Sequence, residues 1–93
     1  MSNKRLFELG RLVATPGALA ALKRAPTDTV ELLTRHMLGD WGELEEEDVQ
    51  ANQQALKDGL RLLSSYRLRT GVKVWVITEA DRSSTTLLLP EEY

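Results

Sequence analysis

The segment Thr78-Glu79-Ala80-Asp81-Arg82-Ser83-Ser84-Thr85-Thr86 sets Glu79, Asp81 and Arg82 ahead of a run of hydroxyl side chains, between two apolar stretches. A hairpin rim of this composition can bind an oxyanion or stabilise a phosphorane, Arg82 supplying charge and the hydroxyls hydrogen bonds. The plainer alternative is an ion-pair network of Glu79, Asp81 and Arg82 that pins a long loop, and exposed pairs of that kind carry little energy. His36 is the single histidine. It titrates near neutral pH and suits general acid or base work. Its plain alternative is a helix-end cation that complements the macrodipole.

Three further groups can bind. Gly39-Asp40-Trp41-Gly42 brackets an indole between glycines. Either the loop presents Trp41 to a partner, or Asp40 closes a tight turn on backbone N–H groups while Trp41 enters the core. Arg61, Arg67 and Arg69 share one face of a strand by alternation, with Lys73 on its neighbour, and such a face contacts phosphates or carboxylates or simply keeps an edge soluble. Glu43–Asp48 is an acidic run, explained without a partner by the start of a helix. Tyr93, like Trp41, is a candidate centre for a flat binding patch. No metal site is expected, because the chain has no Cys and no second His. His36 and Asp40 have ligand-like spacing, but Gly39 falls between them. Nothing in the sequence calls for a cofactor.

The positioning elements follow from periodicity. Leu6–Ala14 suits a short extended segment, helix remaining open. Thr15-Pro16-Gly17 reads as a capped helix start with Pro in the first turn, ending at Ala25-Pro26. A second helix starts at Thr27-Asp28 with Glu31 in the capping-box position, buries Val30, Leu33 and Met37, with Leu32 and His36 flanking, and stops at Gly39. A third opens after Leu44, buries Val49, Asn52, Ala55 and Leu56, and ends at Gly59. The period then changes to two. Arg61–Arg69 places Leu62, Ser64, Tyr66 and Leu68 on one face, Thr70-Gly71 turns, Val72–Thr78 reads as a central strand, and Thr85–Leu89 precedes Pro90.

Composition bounds the class. Residues 1–93 make one domain, and 42% hydrophobic with 28% charged residues is a globular balance, not a disordered one. Met1–Arg5 is basic, but Glu8 and Arg11 break the run that follows, so no signal peptide is expected. No stretch approaches a membrane span. The expected location is the cytoplasm. A net charge of −2 argues against a coat for nucleic acid, whose affinity comes from displaced counterions.

Val13-Ala14-Thr15-Pro16-Gly17-Ala18-Leu19, Gly39-Asp40-Trp41-Gly42 and Trp75–Tyr93 resemble a family of short plasmid-related proteins of plasmids and integrative elements, often labelled type I restriction–modification subunits. That family has no established activity. A methyltransferase is excluded physically, since 93 residues leave no room for a cofactor-binding α/β domain and no Gly-rich loop follows a strand. In layout, Arg35-His36, Glu47-Asp48 opening a helix, and a meander ending in Thr85-Thr86 are similar to the barnase–colicin-type ribonucleases. That resemblance implies metal-free RNA cleavage, with His36 as acid or base, Arg82 and Arg67 as phosphate ligands, and Thr85 or Thr86 as a positioning hydroxyl. The acidic balance departs from it.

The expectation is therefore an α+β domain, two or three helices on a three- or four-stranded antiparallel meander. It serves as a cytoplasmic accessory or interaction protein of a mobile genetic element, with a protein partner. Its binding residues are Asp40, Trp41, Arg61, Arg67, Arg69, Glu79, Asp81, Arg82 and Tyr93. The alternative is a metal-independent ribonuclease or toxin using His36, Arg82 and Thr85 on RNA. Oligomeric state is left open.

Overall fold

The structure is a computed structural model that describes residues 4–26 and 28–93. Residues 1–3 of the basic start, and Thr27 at the expected start of the second helix, lie outside the described residues. The element order is β1 (Arg11–Ala14), α1 (Pro16–Lys23), α2 (Asp28–Met37), α3 (Glu46–Asp58), β2 (Leu62–Arg67), β3 (Lys73–Thr78), β4 (Ser84–Leu88) and a 3-10 turn, Pro90–Glu92. The class is α+β.

Local chemistry sets the helix ends. Thr15 caps α1, its hydroxyl accepting from the Ala18 N–H at 3.2 Å with Pro16 in the first turn. Gly59 ends α3 in the left-handed region at φ 67°, and the Leu60 N–H returns to the Ala55 carbonyl at 3.0 Å. β2, β3 and β4 form the expected antiparallel meander, with β3 between its sequence neighbours. The turn between β2 and β3 closes through Leu68 N–H to Val72 O at 2.8 Å, with Gly71 at φ 94°.

The sheet is mixed, and not wholly antiparallel as expected. β1 joins it parallel to β4, pairing Leu12 with Thr85 and Ala14 with Leu87 in the order β1-β4-β3-β2. Only residues 11–14 of the expected 6–14 segment form the strand. A parallel pairing across seventy residues of chain leaves no local signature, whereas a hairpin does.

The registers place Leu62, Ser64, Tyr66, Val74, Val76, Thr78, Thr85, Leu87, Leu12 and Ala14 on one face. Tyr66, Val74, Val76 and Leu87 from that face pack with Ala18, Ala21, Leu22, Leu32 and Leu33 of the helices. Each of the buried Val and Leu side chains contributes roughly 1.5–3 kcal/mol by leaving water. A second cluster joins Phe7, Trp41, Ala55 and Leu62. Trp41 therefore closes the core, as the turn reading expects.

Two expectations about faces need correction. The buried stripe of α2 is Asp28, Leu32, Leu33 and His36, while Val30 is 74% exposed. The apolar residues alone put the stripe at the wrong rotation, because two of its four buried members, Asp28 and His36, are polar. Trp75, whose place in a stretch read as a central strand implies burial, is only part-buried on the opposite face, where it meets Tyr93 edge-on at 5.7 Å.

Candidate functional site

His36 sits in the last turn of α2 and is 0% exposed. The ring of Phe7 meets it edge-on at 5.1 Å and that of Trp41 at 5.8 Å. Burial among these groups pushes its pKa from 6.5 to about 4, so the ring is neutral. Nδ1 lies 2.5 Å from the Ser64 hydroxyl and Nε2 lies 2.9 Å from the Thr78 hydroxyl. Thr78 Oγ1 is 2.7 Å from Thr85 Oγ1, which donates to the Leu9 carbonyl at 2.7 Å.

These contacts fix every proton. The Leu9 carbonyl can only accept, so Thr85 donates to it and must accept from Thr78. Thr78 in turn accepts from His36, which places the ring proton on Nε2 and leaves Nδ1 to accept from Ser64. The result is a one-way chain from Ser64 through His36, Thr78 and Thr85 to Leu9. It ties α2 to β2, β3, β4 and the segment before β1.

Arg82 lies close by and does different work. Its Nη1 donates to the carbonyls of Leu60 at 2.6 Å, Ala80 at 3.1 Å and Glu79 at 3.2 Å, and its Nη2 to that of Ala55 at 3.2 Å. The guanidinium also covers the Phe7 ring at 5.7 Å. It thus fastens the β3–β4 rim to the C-terminal end of α3, where the helix dipole favours a cation. Arg82 holds φ 61° to do so, the one positive-φ residue besides glycine among those described. The last strand, expected from Thr85, begins at Ser84, and Thr85, also read as a rim hydroxyl, is fully buried on the helix-covered face. Asp81 accepts from the Ser83 N–H at 3.0 Å in a local turn, and Glu79 pairs with Arg61 at 3.2 Å. Of the three expected catalytic residues, Thr85 is linked to His36 through Thr78 and Arg82 contacts Phe7, which also meets the His36 ring. With both ring nitrogens bonded and the ring fully buried, a substrate reaches neither.

The remaining binding candidates are largely engaged. Asp40 pairs with Arg35 at 2.7 Å, which lowers its carboxyl pKa. Tyr66 donates to the Asp40 carbonyl at 2.5 Å, and burial raises its phenol to about 12. Arg67 and Lys73, opposite each other across β2 and β3, share Glu43 at 3.2 and 3.7 Å. Arg69 pairs with buried Asp28 at 2.9 Å. Arg61 also donates to the Tyr93 hydroxyl at 3.1 Å, though Tyr93 stays exposed. No group of carboxylates and imidazoles among the described residues can hold a metal ion.

The sheet edges carry signals that residue types conceal. β2 is covered along its outer side. Asn52 of α3 bonds both the carbonyl and the N–H of Leu63, at 2.6 and 3.1 Å. Ser65 next donates its N–H to Trp41 O at 3.0 Å and accepts from the Glu43 N–H at 2.6 Å. Gly42 makes this approach feasible, since a Cβ there would stand 2.0 Å from Ser65 O. β1 is different. Arg11 and Thr15 send their N–H groups to Ser83 and Leu87 of the β4 side, so by strand alternation Leu12 and Ala14 point theirs outward. No hydrogen bond among the described residues covers that side. Beside it lies an apolar groove of about 500 Å³, lined by Leu12, Ala14, Leu19, Leu22, Leu33 and Leu87 with Lys23. No helix among the described residues is long and apolar enough to cross a membrane. No family model, curated protein or solved structure matches the chain.

Proposed function

We propose that this protein is a binding module whose β1 edge takes up an extended segment of a partner protein. The uncovered ladder of β1, set against a β2 edge whose outward groups at Leu63 and Ser65 are already bonded, carries the reading. An added strand gains main-chain hydrogen bonds from Leu12 and Ala14, and every second side chain turns into the apolar groove. Charge narrows the partner. Arg11 and Lys23 are exposed and have no ion-pair partner among the described residues, so acidic residues flanking the apolar ones suit the segment. The resemblance to plasmid-related proteins would make this a cytoplasmic accessory of a mobile element. Ribonuclease activity gains no support from a histidine sealed on both ring nitrogens.

Selection of a displayed random peptide library on the purified protein tests this. Peptides alternating apolar and other residues, with acidic flanks, should be enriched. Leu12→Pro removes an outward N–H and the Leu12 side chain of the groove while leaving the N–H groups of Arg11 and Thr15 bonded to the β4 side. It should therefore abolish the enrichment while the fold is kept, whereas Leu12→Ala, which keeps the N–H, should only weaken it. Absence of enrichment, or enrichment that Leu12→Pro leaves unchanged, overturns the reading. So does a dimer that Leu12→Pro dissociates, since the edge would then be occupied by a second copy.

A further inference from the structure

A second recess, on the sheet face away from the β1 groove, has an unsatisfied polar floor. The Ser65 hydroxyl is the one buried side-chain polar atom among the described residues with no hydrogen-bond partner. Ser65 is 2% exposed, and such an orphan costs roughly 1–3 kcal/mol. Ser64, Thr78 and Thr85 on the helix-covered face are all paired, so the vacancy is particular to this side. Ser65 stands opposite Trp75 in the β2–β3 register. Both line a recess of about 330 Å³, roomy enough for one long side chain.

Its charge is negative. Glu43, Glu45 and Asp48 line it against a single cation, Lys73. Glu43 is committed to Arg67 and Lys73. Glu45 and Asp48 have no ion pair among the described residues, and Glu45 makes no side-chain bond to the helix it precedes. The positive end of α3 offsets only about half a charge. The complement is therefore a cation. The carboxylates do not gather into a group able to hold a metal ion, so the cation is an organic one with several donors. A guanidinium is planar, stacks on an indole face and offers five N–H groups to acceptors set apart from one another.

We propose that this recess binds a guanidinium group, its face on Trp75, its edges toward Glu45 and Asp48, and the Ser65 hydroxyl accepting at the floor. The site is independent of the β1 edge. Heteronuclear NMR of the full chain tests it, with methylguanidinium, L-arginine, N-acetyl-L-arginine methylamide, methylammonium and acetate as probes. Saturable shifts of the Trp75 indole and Ser65 amide resonances are expected with guanidinium probes, and clearly weaker ones with methylammonium. Binding of both arginine compounds assigns the site to the group alone; binding of the blocked one only assigns it to arginine within a polypeptide. The double variant Glu45→Gln/Asp48→Asn alters exposed residues and should weaken binding about tenfold while the fold is kept. Ser65→Ala should weaken it severalfold with no loss of stability, because no hydrogen bond within the protein is broken. Equal, non-saturating shifts with methylammonium and guanidinium, a preference for acetate, or full affinity in the double variant overturns the proposal.

Discussion

His36 shows how one side chain can look catalytic by type and be structural by position. Its ring is neutral in the folded protein and titrates near 6.5 once unfolded. The unfolded chain therefore binds the extra proton first as pH falls. Stability should be full above about pH 6.5 and decline toward pH 4, by about 3 kcal/mol in all. Carboxylates such as Asp40, held below their ordinary range, add their own losses only at the acid end. Denaturant midpoints measured between pH 7 and 5 should thus fall for the wild type and stay nearly level for His36→Gln. A wild-type profile flat over that interval would show the ring to be solvated. The variant should itself be less stable at pH 7, because Ser64 or Thr78 loses a partner in a buried place. The sequence exposed the residue and its helix but not this setting, since Ser64, Thr78, Thr85 and Leu9 come from four separate stretches of chain.

At the scale of elements, the side chains that join one segment to another matter most. Arg82→Ala should cost about 2 kcal/mol, the scale of charge-assisted bonds to carbonyls, and should raise amide exchange at the end of α3 and in the rim together. Arg82→Gly should be about 1 kcal/mol milder than Arg82→Ala, since glycine holds a positive φ without strain. Equal costs would remove backbone strain from the account. Asn52→Ala should cost roughly 2–3 kcal/mol by stripping both partners from Leu63, and hydrogen exchange at Leu63 should report it directly. The meander was legible because Leu62–Leu68 follows a period of two, Val72–Thr78 is apolar on both faces but for Lys73, and a Gly turn joins them, and the third helix because Glu45–Asp48 and Gly59 mark its ends. Asn52 was legible as buried but not as an edge cover, and Arg82 as a site but not as a clamp. Both act on carbonyls, which every residue carries and no composition reveals. The α2 face was misplaced for the opposite reason, since Val30 advertises burial and is exposed, while Asp28 is buried on account of Arg69.

Across the whole molecule, the C-terminal residues return to the beginning. Glu92 accepts from the Gly17 N–H at 3.0 Å and from Leu89 N–H at 2.8 Å, and also bonds the Thr15 hydroxyl. The Thr15 bond and the two N–H bonds hold its carboxyl below the usual range. Glu92→Gln should lower the melting temperature slightly, and the deficit should shrink as pH falls below the ordinary carboxylate range and through the lowered native value, where the native carboxylate is protonated as well. A deficit constant across pH would assign the contact to shape and not to charge. The two sides of the sheet also differ in what they permit. Leu12, 53% exposed on β1, can nucleate strand pairing, while Asn52, Trp41 and Glu43 already occupy the outward groups of Leu63 and Ser65 on β2. Growth of a sheet by repeated addition needs two available sides on every unit. Among the described residues this protein offers one open side and one shielded along its middle, so pairing at β1 is set to stop at a single addition and not to propagate into a fibre.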